Sequence, residues 1–112
     1  MTTKSAISTT PSSGNVFADL GFADAEEELV KAQLASRLQD IIKRRQLTQV
    51  AAADLMAIDR PKVSALLNGR LANFSSSRLM RLLNALGKDV EIVIRTRPRH
   101  RDHGRIRVVE VG

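Results

Sequence analysis

The stretch Leu47–Gly69, LTQVAAADLMAIDRPKVSALLNG, decides the fold. Two short apolar-faced segments meet at Ala57-Ile58, and Pro61 stands just inside the second. Proline breaks a continuing helix but is tolerated in the first turn of a new one. The stretch therefore reads as helix, tight turn, helix. Thr48 caps the first helix of the pair, and Ala51, Ala52 and Leu55 give it an apolar face that a neighbour approaches closely. Asp59 caps the second, with Arg60 and Pro61 in its first turn. Val63, Leu66 and Leu67 form its inner face, and Gly69 ends it after Asn68.

Toward the N-terminus, Asp24 followed by Glu27 forms a capping-box-like start, and Glu26-Glu27-Glu28 suit the positive end of a helix. Leu29, Leu34, Leu38, Ile41 and Ile42, with Ala32 and Ala35, then recur at helical spacing, and Lys43, Arg44 and Arg45 suit the negative end. NVFADLGF (15–22) holds Val16, Phe17 and Leu20 in a cluster too short to fold alone. Two readings of it stay open: packing back onto the domain, or docking a partner. Residues 1–14 are polar and rich in Ser and Thr, which predicts a disordered arm.

Beyond the central pair, FSSSRLMRLLNALG (74–87) predicts a fourth helix. It has a serine cap, a stripe of Leu79, Met80, Leu82, Leu83 and Leu86, and Gly87 at its C-terminal end. DVEIVIRT (89–96) predicts a strand with Val90, Ile92 and Ile94 on one face. RIRVVEV (105–111) is a second such run, across an Arg-rich linker with Pro98 and Asp102-His103-Gly104. Four helices cannot fully cover the Val90/Ile92/Ile94 edge, and an unpaired edge recruits another strand. A homodimer paired there is expected. The chain thus divides into an arm (1–14), a helical domain with a C-terminal strand (15–96) and a basic tail (97–112).

Composition narrows the function. At 112 residues there is room for one small domain with tails. Residues 1–40 carry three basic and six acidic side chains, a net of −3; residues 41–112 carry fifteen and six, a net of +9. The basic body suits a polyanion, most simply nucleic acid. The acidic front suits a different, basic partner. An aromatic content of 3 % argues against stacking platforms for single strands. With no cysteine, no signal peptide and no membrane-spanning run, a cytoplasmic protein is expected. No catalytic constellation, cofactor loop or small-molecule site stands out. His100 and His103 beside Asp102 lack further metal ligands, and the glycines are isolated.

Helical periodicity places Arg60, Pro61, Ser64, Ala65 and Asn68 on the outer side of the second helix of the pair. That face is short-chained and polar, fit to lie against a groove floor. Arg60 offers a bidentate fork for guanine, Asn68 donates or accepts, and Lys62 at the flank suits phosphate.

These residues closely resemble the helix-turn-helix core of the XRE family, the phage Cro/cI repressor class. The signature is carried by Leu47, Thr48, Gln49, Ala53, Ala57, Val63, Ser64, Asn68 and Gly69. Over roughly residues 15–98 the chain is similar to the small single-domain HigA-like antitoxins of toxin–antitoxin operons. The resemblance implies a mainly α, four- to five-helix, lambda-repressor-like domain with a C-terminal strand able to form a dimer sheet. It implies that Thr48 and Gln49 lie near a phosphate, as helix N-termini favour anions. Arg60, Pro61, Lys62, Ser64, Ala65 and Asn68 would approach bases or backbone, and Arg70, Ser76 and Ser77 the adjacent phosphates. The implied partners are a palindromic operator and a toxin of the RelE or HigB kind, the latter held by Val16, Phe17, Leu20 and Glu27. A stand-alone or phage-derived regulator without a toxin is the alternative. One position departs from the family, which usually carries glycine at the turn. At Ala57 a left-handed backbone costs about 1 kcal/mol, unless the turn relaxes.

Overall fold

A computed structural model describes the backbone of residues 14–111 and the side chains of residues 24–111. Four helices follow one another: α1 (Gly14–Arg44), α2 (Gln49–Met56), α3 (Arg60–Leu67) and α4 (Ser76–Ala85). α1 lies against α4 and α3, and α2 packs on α3 and α4. The mainly α helix-turn-helix architecture is therefore present. Leu38 of α1, Val63 and Leu66 of α3, and Leu79 of α4 are fully shielded from solvent at its centre.

The caps predicted for α2, α3 and α4 are formed. Thr48 accepts from the amide of Ala51, Asp59 from that of Lys62, and Ser75 from that of Arg78. Each satisfies one of the amides that the first turn leaves without a helical partner.

The helix ends share one device. After α1, Leu47 N–H bonds Ile42 O and Gln46 N–H bonds Lys43 O; the same pair of bonds follows α2, from Ile58 to Ala53 and from Ala57 to Asp54. It recurs after α3 (Arg70 to Ala65, Gly69 to Leu66) and after α4 (Lys88 to Leu83, Gly87 to Asn84). This is the Schellman arrangement, which requires a left-handed residue at its pivot. Gly69 and Gly87 provide it without strain at φ +73° and +88°, but Gln46 and Ala57 sit at φ +54° and +56°. Ala57 does not relax away from the left-handed region; it accepts the strain. Replacing Gln46 or Ala57 with glycine is expected to stabilise the fold by about 0.5–1 kcal/mol each. Relief of the left-handed penalty outweighs the extra freedom of the unfolded chain. Thermal denaturation of the single and double variants reads this directly, and a lowered Tm would refute it.

Several expectations need correction. α1 does not begin at Asp24: it is a continuous helix of 31 residues from Gly14. Nothing between Gly14 and Asp24 forces a break, so the capping-box pattern lies mid-helix and the Glu26–Glu28 run is not at the dipole's positive end. The expected disordered arm lies outside the described residues except for Gly14, which opens α1. The side chains of Val16, Phe17 and Leu20 also lie outside them. The buried stripe of α1 runs through Val30, Leu34, Leu38 and Ile41, leaving Leu29 54 % exposed. In α2 the inner face is Ala52, Ala53 and Met56, and Leu55 is half exposed.

Among the described residues there is no strand. Between Asp89 and Thr96 no backbone hydrogen bond forms, because no second strand lies alongside. Residues 105–111, the other expected strand, instead run beside α1. Glu26 Oε2 accepts from Ile106 N–H at 2.9 Å and Gln33 Oε1 from Val108 N–H at 3.1 Å.

Candidate nucleic-acid interface

The outer side of α3 is built from its cap outward. Asp59 spends its carboxylate on the Lys62 amide at 3.3 Å, fixing the first turn. Arg60 and Pro61 follow and are exposed; Lys62, Ser64 and Ala65 are half-buried; Asn68 and Arg70 are exposed. Val63 and Leu66, on the opposite side, are fully buried. The helix therefore shows a polar outer strip around Arg60 while its inner residues anchor it. Ala65 leans on the core and presents only part of its methyl.

Asn68 is less free than its sequence position implies. Its Nδ2 donates to Ser64 O at 2.8 Å, so the amide nitrogen turns back into the helix. The carbonyl oxygen is then the group it offers outward. Thr48 likewise spends its hydroxyl on the Ala51 amide at 3.0 Å, leaving the exposed Gln49 beside it at the start of α2.

At the start of α4 the three serines have different duties. Ser75 caps the helix, and Ser77 lies 3.3 Å from Ser75, hydroxyl to hydroxyl. Ser76 donates to Glu27 Oε2 at 3.1 Å. An anion beside Ser76 meets that carboxylate, so Ser77, exposed one residue on, is the better placed of the two.

Two long-range bonds that hold this surface in place are not legible in the sequence. Gln39 of α1 donates through Nε2 to Leu66 O at 2.9 Å, tying the last turn of α3 to the long helix. Arg45 does the same for α4, donating from Nη2 to Leu86 O at 2.7 Å. The partners lie 27 and 41 residues apart, so no local pattern announces either bond. Replacing Gln39 with alanine is expected to cost about 1 kcal/mol of stability, the usual net worth of a hydrogen bond to backbone. Chemical denaturation measures it, and an unchanged midpoint would show that water replaces the amide.

The expected dimer stripe is divided. Val90 is half-buried against the protein's own core, whereas Ile92 and Ile94 are 76 % and 91 % exposed. Among the described residues no group of His, Asp or Glu side chains is arranged to hold a metal, and no helix is long and apolar enough to cross a membrane.

A short capped helix, a left-handed turn and a second capped helix with an outward polar strip define a helix-turn-helix module. The model of the helix-turn-helix domain family matches residues 16–95, and the chain belongs to that family. A solved structure of a protein provisionally named an XRE-family transcriptional regulator is 55 % identical, with a TM-score of 0.76. The match covers 79 % of this chain and 99 % of that one, and the module is accordingly of the XRE type. No curated protein matches the chain.

Proposed function

We propose that this protein is a sequence-specific, double-stranded DNA-binding transcriptional repressor, working in the cytoplasm as a homodimer on a palindromic operator. The observation that carries the reading is the α3 surface: a rigidly capped helix whose outward strip begins with a free-standing Arg60 and is flanked by Lys62 and Arg70. An α-helix fits the major groove, where an arginine fork matches one guanine. Gln49 and Ser77 add contacts to the backbone on either side, where hydrogen-bonding groups fix register. Binding-site selection from random duplexes tests it. A recovered palindrome supports the reading, and binding without sequence preference overturns it.

Within the same proposal the chain is the antitoxin of a two-gene operon, repressing its own promoter and neutralising a basic toxin nuclease through the acidic front of α1. Glu26, Glu27 and Glu28 lie along that front, and the net −3 of residues 1–40 steers a basic partner. Deleting residues 1–23, which carry Val16, Phe17 and Leu20, is expected to weaken toxin binding more than operator binding. Both are measured by titration on the same preparation. Full toxin neutralisation by the deletion variant would assign those side chains to packing. If no toxin gene adjoins this one, the stand-alone regulator takes precedence.

A further inference from the structure

The C-terminal segment occupies a seat on α1 that is built for its sequence. Glu26, Gln33 and Arg37 project from one face of α1 at spacings of seven and four residues, a single side of a 3.6-residue helix. They meet residues 106, 108 and 110 in the same order, so the segment runs parallel to the helix. The first two bonds go to the amides of Ile106 and Val108, and Arg37 Nε lies 3.2 Å from Glu110 Oε1. Between α1 and α4, Glu26, Glu27, Val30, Ser76, Met80 and Ile106 line a cleft of about 260 Å³. The segment matches the seat through apolar residues two apart, Ile106 and Val108, and a carboxylate two further on, Glu110.

Within one copy the fit is incomplete. Arg37 Nε is buried yet makes no hydrogen bond, because Glu110 approaches it outside the line of the N–H. Ile106, Val109 and Val111 stay 61 %, 64 % and 91 % exposed. Between α4 and the seat, Val90 rests on the core. Residues 89–96 form no hydrogen bond with the described residues, and Ile92, Val93 and Ile94 are exposed along them. The sixteen residues 89–104 reach roughly 50 Å when drawn out, ample to cross to a neighbour.

We infer that two copies of this chain exchange these segments: residues 105–111 of each occupy the Glu26–Gln33–Arg37 seat of the other. The inference rests on the homodimer reading and deepens it. A second copy carries the identical segment, with the same Ile106, Val108 and Glu110 to meet the seat. Crossing brings the two 89–96 stretches side by side, where their unpaired backbones pair and their isoleucines are covered. Exchange of an identical element is a low-cost route to a dimer.

The absence of cysteine makes the test clean. Leu29→Cys and Val109→Cys place thiols at two exposed positions beside the seat without touching its bonds. The two single variants, distinguished by a mass tag, are mixed at micromolar concentration, refolded together and treated with a short bis-maleimide. Exchange predicts a 29-to-109 cross-linked heterodimer as the main product, well above the 29-to-29 and 109-to-109 pairs. Mixed product no more abundant than those pairs overturns the inference. Sedimentation of the parent chain separates the causes of failure. A dimer without the mixed product removes exchange and leaves the dimer standing, whereas a monomer removes both.

Discussion

Truncating Leu66 to alanine is expected to destabilise the protein by about 2–5 kcal/mol, the range for deleting most of a buried leucine from a packed core. Leu66 is fully buried on the inner face of α3, where α1 and α2 converge. Its neighbours Val63, Leu38 and Leu79 are equally enclosed and held by other contacts, so the cavity closes only partly. A small domain has roughly 5–15 kcal/mol in total, so this one change removes a large share. Urea denaturation followed by circular dichroism provides the measurement. Operator binding should fall only as far as the folded fraction falls, since Leu66 does not face outward. A loss below 1 kcal/mol would show that the helices slide together to fill the space.

Replacing Arg60 with alanine is expected to leave stability nearly unchanged and to cost roughly 1–3 kcal/mol on the preferred operator. Arg60 is exposed in the first turn of α3, where side chains of a groove-bound helix meet base edges. Preference should relax at one base pair of each half-site. Lys62→Ala is the companion experiment. Lys62 lies about 200° further round the helix and is half-buried at its flank, so it is expected to weaken all sequences alike. Its loss should reduce the salt slope by about one unit. Binding-site selection on both variants beside the parent decides. If Lys62→Ala altered the selected motif and Arg60→Ala did not, the outward face of α3 would be wrongly assigned.

Much of the candidate surface was legible because its causes are local. Thr48, Asp59 and Ser75 cap helices through bonds three residues long, and each was visible as a short polar side chain before an apolar run. Pro61 marked the start of α3 for the same reason. The left-handed pivot at Ala57 was anticipated through the family's glycine; its twin at Gln46 was not, since glutamine there signals nothing. Apolar periodicity identified the helices and most of their buried positions, but it chose Leu29 over Val30 in α1 and Leu55 over Met56 in α2. A stripe of leucines and alanines admits more than one phase, and only the neighbouring helix selects among them.

What the sequence by itself determined is the module: two capped short helices at a tight turn, a third after them, and a polar strip led by Arg60. Those features follow from hydrogen bonds and steric limits that span a few residues. Tertiary structure decided how the module is braced, through Gln39 on Leu66 and Arg45 on Leu86, bonds between residues far apart in the chain. It also decided the fate of the β-branched runs at 89–96 and 105–111. A strand needs a second strand to receive its amides. Without one, the first run stays unpaired and the second gives its amides to Glu26 and Gln33 of α1.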